Sequence, residues 1–223
     1  MHWLYILITY VTAYFAGITY YLISDLKVAL DNSWNLVKKD NYNKDIWIVW
    51  IISTIHSIKN IFFTAIWIYL FMQLFHSKLH HNSYTFEKFV YYIDIHYLFA
   101  ETYFYFTHRA LHKWFYSFHK QHHKSEIIVA ASALNADLIE HILLNTAPLY
   151  LSVAIFGIYD WLFLIMLFIS TVNACKAHSG YTKDYLHSFH HFNTQYNYGF
   201  GLFIWDKLLG TYFDPTPLKS KRN

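Results

Sequence analysis

The chain has 223 residues, of which 56% are hydrophobic and only 14% charged, and its formal net charge is +3. Soluble domains carry about 25% charged residues, so this composition excludes a disordered tail, a coiled coil and an ordinary cytosolic enzyme. The one cysteine, Cys175, excludes an internal disulfide. These numbers favour an integral membrane protein, and 16 histidines in a chain poor in other polar groups indicate metal binding.

The N-terminal part contains two long apolar stretches. Residues 3–23 carry no charge and, at about 1.5 Å per residue, can span a hydrocarbon core of about 30 Å. Residues 24–45 are polar with balanced charges, and residues 46–75 are apolar again. The two halves of this second stretch are too short to cross separately, which favours one long tilted crossing. We interpret residues 1–88 as an N-terminal transmembrane anchor region.

The apolar stretch 138–174 predicts two closely coupled passes, because Gly157 and Asp160 mark a turn near its middle. The first of these passes is expected to begin near Ile127. No apolar run shows the strict alternation of a half-buried strand. We therefore predict an all-α integral membrane fold with about four transmembrane helices and a cytosolic, helical, histidine-rich cap.

Nine of the 16 histidines fall into two short regions. Each region contains a comb, His-x-x-His-His, whose three members lie close together on a helix. Neutral imidazole is a good ligand for iron, zinc or copper, so two combs that face each other could hold two ions. A single histidine is usually a surface or core residue, but two such combs next to hydrophobic segments are hard to obtain by accident. The nine are His108, His112, His119, His122, His123, His178, His187, His190 and His191.

The other histidines lack this pattern. His76, His80 and His81 include a four-residue spacing, but nothing nearby repeats the comb, so we predict that they do not bind metal. The isolated histidines, for which we expect structural roles, are His2, His56 and His96.

Both histidine regions must lie on one side of the membrane to build one site, and the two passes between positions 123 and 178 satisfy this condition. The same side carries a basic excess, from Arg109 to Lys124 and again near the C-terminus. The positive-inside rule then predicts cytosolic histidines and places the polar loop 24–45 across the membrane from them.

Several motifs resemble the fatty acid hydroxylase/sterol desaturase superfamily of membrane non-haem di-iron enzymes. They read ETYFYFTHRALH, WFYSFHKQHH, HSGY, HSFHHFNTQYNYGFG and WDKLLGT, and they extend over roughly residues 101–212 in the family's order and spacing. The resemblance implies a hydroxylase-like domain over residues 89–223, in one structural unit with the anchor region. It implies that the nine histidines hold two iron ions, which activate O2 to hydroxylate a C–H bond of a sterol or a fatty acyl or sphingoid lipid.

The chain departs from the family's pattern in three places. Many members have Asp where this chain has Glu101, and many have His-Pro four residues before a Glu where this chain has Ala136 and Asp137. Some have a further histidine one helical turn before the one that matches His178, where this chain has Ala174. His141 or Asn173 could then complete the metal shell through water. The candidates for orienting the ligands are Glu101, Asp137, Glu140, His141, Asn173 and Asp184.

Some of these residues have a second interpretation. Asp137, Glu140 and His141 could instead form a polar helix entry at the membrane interface. A group of aromatic side chains could line a lipid channel or form an interfacial aromatic belt. This group consists of Tyr103, Tyr105, Trp114, Phe115 and Tyr116.

The expected partners follow from the resemblance. The chain contains no fused electron donor, so a b-type cytochrome with its NAD(P)H-dependent reductase is expected beside the lipid substrate and membrane lipid. We expect no nucleic-acid partner. The ending KSKRN, with Lys219 and Lys221, resembles a dilysine signal for the endoplasmic reticulum, although a plain basic tail held by anionic lipid is the alternative.

Three alternatives to a lipid monooxygenase remain. A desaturase would use the same di-iron site to remove two hydrogens, and the motifs do not separate these outcomes. A histidine-rich metal transporter would place its ligands near the middle of the bilayer, often within inverted repeats, and no repeat is visible. A catalytically inactive, lipid-binding relative would not need the complete histidine set.

Overall fold

The computed structural model describes residues 1–30, 46–80, 85–124, 128–179 and 186–214. Long helices dominate these ranges, with short 3-10 helices at His76–Lys78 and Ala130–Leu134 and a π-helical turn at His141–Thr146. The α-helices are α1 (Trp3–Leu30), α2 (Ile46–Leu74), α3 (Phe86–Trp114), α4 (Tyr116–His123), α5 (Leu138–Glu140), α6 (Ala147–Phe156), α7 (Asp160–His178), α8 (Leu186–Phe192) and α9 (Ile204–Leu208).

Four helical spans are long and apolar enough to cross a membrane, namely Trp3–Leu26, Trp47–Leu74, Leu138–Phe156 and Asp160–His178. The prediction of an all-α fold with about four transmembrane helices is therefore confirmed. The described residues also contain two strands of two residues each. Strand β1 (Leu79–His80) pairs in parallel with β2 (Ile158–Tyr159), and this pairing ties the end of α2 to the turn between α6 and α7.

Helix α3 runs the length of the bundle. Near its start, the Phe89 ring stacks on Trp161 with centroids 6.2 Å apart, and His96 Nε2 lies 2.9 Å from the carbonyl oxygen of Gly157. Both contacts are at the α6–α7 turn, whereas the other end of α3 carries His108 and His112. Hydropathy does not reveal this traverse, because α3 carries acidic and basic residues along its length.

This traverse corrects the expected position of the loop 24–45. The Asp25 carboxylate accepts a hydrogen bond from the Ala130 N–H at 3.0 Å, and His56 Nδ1 lies 3.2 Å from Gln121 Nε2 between two histidine ligands of α4. The end of α1 and the beginning of α2 therefore lie at the histidine end of the bundle, not at the opposite end. Residues 31–45 themselves lie outside the described residues.

One hydrophobic core joins the N-terminal helices to the rest of the chain. Tyr10 and Tyr14 of α1, Ile61 of α2 and Leu162 of α7 are all buried in it. Helix α1 packs closely on α7, since a Cβ at Gly17 would lie 2.8 Å from the Cβ of Cys175. A glycine is required at this crossing because any side chain would separate the two helices.

The segment before α5 does not form the helix that we expected to begin near Ile127. Ile127 lies outside the described residues, and the chain from Ala130 to Leu134 is a buried 3-10 helix rich in alanine. Its carbonyl groups obtain hydrogen bonds from α1 and α2. Tyr14 Oη donates to Ala131 O at 2.8 Å, and Asn60 Nδ2 donates to the carbonyls of Leu134 and Ala136 at 3.0 and 2.9 Å. Irregular backbone is tolerated inside a membrane protein only when its polar groups are satisfied in this way.

Candidate metal centre

The ligating nitrogens of all nine predicted histidines converge at one end of the bundle, in two groups. Within each group, one ligand atom from every residue lies within 4.8 Å of the others. The five-histidine group consists of His108, His112, His119, His123 and His190, and the four-histidine group consists of His122, His178, His187 and His191.

Each comb divides its ligands between the two groups. On helix α4, His119 and His123 belong to the five-histidine group, whereas His122 belongs to the four-histidine group. On helix α8, His187 and His191 belong to the four-histidine group, whereas His190 belongs to the five-histidine group. The two groups are therefore linked by both short helices.

The spacing of the Nε2 atoms fits metal coordination. His119 Nε2 lies 3.1 Å from that of His108 and 2.9 Å from that of His123. Around His178, the Nε2 atoms of His122, His187 and His191 lie at 3.2, 3.1 and 3.3 Å. A metal–nitrogen bond of about 2.0–2.1 Å places neighbouring ligands about 2.9–3.4 Å apart in octahedral or tetrahedral geometry.

Hydrogen bonds alone do not explain this arrangement. One imidazole nitrogen can give or accept a single hydrogen bond along its ring plane, whereas His178 Nε2 has three nitrogen neighbours. A shared cation satisfies all the lone pairs at once, so the donor set fits a metal ion in each group.

The outer nitrogens of four ligands are fixed by acceptors. His108 Nδ1 donates to the carbonyl of Tyr198 at 2.8 Å and His190 Nδ1 to that of Tyr196 at 2.6 Å. His178 Nδ1 donates to its own helix at Ala174 O, at 2.9 Å. A proton on Nδ1 leaves the Nε2 lone pair free for metal, and such partners set the orientation of the ring.

Glu140 is the partner of the fourth ligand. Its Oε1 lies 2.8 Å from His119 Nδ1, and both side chains are buried. Its Oε2 has no hydrogen-bond partner. Glu140 lies immediately before the π-helical turn, and its carboxylate contacts His119 of α4. Glu140 is therefore a predicted orienting residue that contacts a predicted ligand directly.

Burial disfavours the charged form of the ligand imidazoles. Burial in a low-polarity environment lowers the pKa of His108, His122 and His190 well below the ordinary value, and it lowers the pKa of His112 to about 4 and that of His123 to about 2. Neighbouring imidazoles add to this effect in the fully buried members. Neutral imidazole is the form that binds metal, so no proton has to be removed at neutral pH.

A loop after α8 holds the acceptors for His108 and His190, and Asp206 of α9 holds that loop. The buried Asp206 carboxylate accepts from the N–H groups of Tyr198 at 2.9 Å and Gly199 at 2.7 Å, and from Thr211 Oγ1 at 2.8 Å. Asn197, with φ of 59°, receives the Phe213 N–H on its side-chain oxygen. The sequence does not reveal this role of Asp206, because backbone carbonyls leave no trace in a sequence.

Other predicted orienting residues lie farther from the ligands. Glu101 Oε1 accepts from the Ile204 N–H at 2.9 Å, so it holds the start of α9, and burial raises its pKa. Asp137 caps α5 by accepting from Ile139 N at 2.8 Å. Asn173 is exposed on α7, and Asp184 lies outside the described residues.

His141, one of the two residues that could complete the metal shell through water, lies among other polar side chains. Its Nε2 lies 2.9 Å from Tyr10 Oη and its Nδ1 lies 3.0 Å from Asn145 Nδ2. Both ring nitrogens are thus engaged inside the helix bundle. His141 therefore contributes to the packing of α1 on the π-helical turn. The sequence did not connect Tyr10 of α1 with this histidine.

The aromatic side chains do not line one closed channel. Tyr105 is buried and bonds to Thr211 Oγ1 at 3.1 Å, and Tyr103 packs on Phe99. Trp114 and Phe115 are exposed, as an interfacial aromatic belt requires. Tyr116, by contrast, borders a cavity beside α4.

Of the other described histidines, three have partners outside both groups. The His80 ring packs on Tyr159 at the opposite end of the bundle, and His96 Nδ1 lies 2.6 Å from Ser152 Oγ. His56 bonds to Gln121, and His81 lies outside the described residues.

Comparison with known proteins agrees with this site. The family model described as fatty acid hydroxylase matches residues 93–211, which include all nine ligands. No solved structure gives a significant match.

The most similar proteins found include two monooxygenases. A fatty acid hydroxylase domain-containing protein 2 of Homo sapiens is 28% identical over 155 residues, 66% of this chain and 46% of the relative. A methylsterol monooxygenase of Aspergillus fumigatus is 30% identical over 158 residues, 60% and 51% of the two chains. A sphinganine C4-monooxygenase of Arabidopsis thaliana is 29% identical over 130 residues, 50% of each chain. The chain thus spans about half the length of the curated relatives it matches.

Proposed function

The chain belongs to the fatty acid hydroxylase family, and from that premise we propose that it is a membrane lipid monooxygenase whose two histidine groups hold two iron ions. The reaction is the O2-dependent hydroxylation of a C–H bond in a sterol or in a fatty acyl or sphingoid lipid. Per turnover, one oxygen atom enters the product and the other leaves as water, with two electrons and two protons supplied from outside.

The observation that carries the proposal is the convergence of nine neutral imidazoles into two adjacent groups. Five nitrogen ligands exceed the four of an ordinary zinc site, whereas iron accepts five or six. The four-histidine group has Ala174 where a further imidazole could stand one turn before His178. This leaves it the less crowded of the two coordination spheres, and catalytic metals need an open position.

When bound, the two irons would supply the redox centre at which O2 is reduced while the C–H bond is oxidised. The protein holds and orients them. Glu140 fixes the ring of His119, and the Tyr198 and Tyr196 carbonyls fix two ligands from different helices. Buried positions around the histidines keep bulk water away from the reacting centre.

We propose that the histidine end of the bundle faces the cytosol, with an external b-type cytochrome and its reductase as electron donors, in the endoplasmic reticulum. Basic residues concentrate at that end, while Lys78 and Lys88 lie at the other. Lys219 and Lys221, the expected retrieval signal, lie outside the described residues. The basic residues at the histidine end include Arg109, Lys113, Lys120, Lys124, Lys176 and Lys207.

Isotope labelling tests the reaction. Protein in lipid nanodiscs, loaded with iron and given reduced cytochrome, is incubated with 18O2 and candidate lipids, and the products are analysed by mass spectrometry. A hydroxylase gives a product that carries one oxygen-18 atom, which His122→Ala does not form and His80→Ala does. A product that lacks two hydrogens and carries no label would instead identify a desaturase. No oxidised lipid from any iron-loaded preparation would contradict both.

A metal transporter is disfavoured by the position of the histidines. Both groups lie at one end of the bundle, next to the short helices α4 and α8, and not in the middle of the long helices. Transport sites near the bilayer midplane have the opposite arrangement.

A further inference from the structure

A cavity of about 790 Å³ opens between the start of α2 and helix α4. Its apolar wall is formed by Ile48, Val49 and Ile52 of α2. This wall belongs to the N-terminal region, outside the residues that the family model matches.

The polar part of the cavity lining comes from both helices and from Asn135, and it is ordered by hydrogen bonds. Gln121 Nε2 lies 3.2 Å from His56 Nδ1 and 3.3 Å from Asn135 Oδ1, and Asn135 Nδ2 lies 3.3 Å from Ser53 Oγ. All four side chains border the cavity. This row can bind a hydroxyl or carboxylate group, because it offers both donors and acceptors.

The cavity also reaches the metal centre. His123 borders it, and His123 Nε2 is 2.9 Å from His119 Nε2 within the five-histidine group. An occupant of the cavity would thus have its polar group and its nearest carbons beside a metal ligand.

The charges at the mouth restrict the occupant. Lys120 and Lys124 are exposed and border the cavity, and none of the described residues that line it is acidic. Two ammonium groups attract an anionic or uncharged oxygen group and repel an amine. The apolar side chains Trp114 and Phe115, exposed nearby at the start of α4, fit contact with the membrane interface from which a lipid would enter.

We propose that this cavity binds the polar end of the lipid substrate, and that this end is a hydroxyl or carboxylate group and not a sphingoid amine. The oxidised carbon then lies close to the polar group, since the same cavity contacts His123. The claim that the occupant is a substrate rests on the proposed function. The test of the proposal, however, needs neither metal nor turnover.

Cysteine labelling measures occupancy directly, because the only native cysteine, Cys175, is fully buried. Ile52→Cys places a thiol on the cavity wall, at a position that is 49% exposed. The matched control is Ile51→Cys, 52% exposed and one residue away, which does not border the cavity. Each variant in nanodiscs is labelled with a fluorescent maleimide in the presence of oleate, cholesterol, sphinganine or hexadecane.

Oleate or cholesterol is expected to slow labelling of Ile52→Cys about tenfold at ten times its dissociation constant, with no change at Ile51→Cys. Sphinganine and hexadecane should not protect. In the same background, Lys120→Gln with Lys124→Gln should weaken protection by oleate about fivefold, whereas Lys176→Gln should not.

Equal protection by hexadecane would show a purely apolar groove and overturn the proposal. Stronger protection by sphinganine than by oleate would overturn the choice of headgroup. Absence of protection by every probe would show that the cavity does not take lipid, and iron content and oxygen labelling would still decide the proposed function separately.

Discussion

At the scale of single residues, helix geometry explains why each comb serves both metal groups. Successive residues are about 100° apart around a helix, so positions i and i+4 differ by about 40° while i+3 lies about 60° to the other side. His119 and His123 therefore point together, and His122 points away from them. The same relation sends His190 away from His187 and His191. His122 of α4 thus belongs to the same group as two histidines of α8, and His190 of α8 belongs to the same group as two histidines of α4. Each metal group therefore needs both helices.

Glu140→Gln tests the role of the buried carboxylate. The amide retains the size of the side chain and an oxygen acceptor for His119 Nδ1, but an amide oxygen is a weaker acceptor than a carboxylate and raises the basicity of the imidazole less. We expect iron affinity to fall about 10- to 100-fold at the five-histidine group. Competition with a chelator measures this, and Glu87→Gln, an exposed carboxylate at the other end of α3, is the control. Unchanged affinity would show that the carboxylate has no influence on the site.

At the scale of elements, a row of polar side chains on α2 contacts the 3-10 segment before α5. Ser53, Ser57, Asn60 and Thr64 are all buried on one face of this otherwise apolar helix. Ser57 and Asn60 donate to carbonyls of the segment. Spacings of three and four residues place such a row on one face, so the sequence contained the signal, but it did not identify the partner.

Asn60→Leu should destabilise the fold. The buried carbonyl of Ala136 would lose its side-chain donor, at a cost of about 1–3 kcal/mol, while the carbonyl of Leu134 would keep the Ala136 N–H at 3.1 Å. We expect a clear decrease in the Tm of the metal-free protein in detergent. Thr54→Val is the control, because the Thr54 hydroxyl donates to its own helix at Trp50 O and not to the 3-10 segment. An equal Tm for both variants would show that the segment does not depend on α2.

Helix α9 should affect iron binding at the five-histidine group more than at the four-histidine group. In Asp206→Asn, an amide nitrogen replaces one of the two carboxylate oxygens, so either the Tyr198 or the Gly199 N–H group loses its acceptor. The loop that orients His108 and His190 would loosen, so iron should be lost from the five-histidine group and retained in the other. Iron per chain should fall towards half of the wild-type value, while Asp94→Asn, exposed on α3, keeps it. Full iron content in Asp206→Asn would contradict this role.

Some of the site could be predicted from the sequence because the information is local. The spacing of His119, His122 and His123 is a property of one helix, and so is the apolar length of α7. The acceptors at Tyr196 and Tyr198 are backbone carbonyls, which every residue has, so they could not be predicted. Nor could the pairing of His141 with Tyr10, which depends on tertiary packing across 131 positions.

At the scale of the whole molecule, α3 decides the topology. Counting apolar segments misses it, because charged residues reduce its mean hydropathy although it runs from the α6–α7 turn to the histidines. With α3 included, the ends of α1, α3 and α7 all meet at the histidine end. The five long stretches of helix therefore bring the loops that carry chemistry to one face, and the β1–β2 pairing closes the other.

The most direct test of this account is the iron content of the purified protein. We predict close to two iron ions per chain in the wild type and in His80→Ala, whose side chain lies at the opposite end of the bundle. His122→Ala and His190→Ala each remove a crossing ligand, one from each group, and both should lose much of their iron. Wild-type iron content in both of these variants, or an equal loss in His80→Ala, would contradict the dinuclear histidine site.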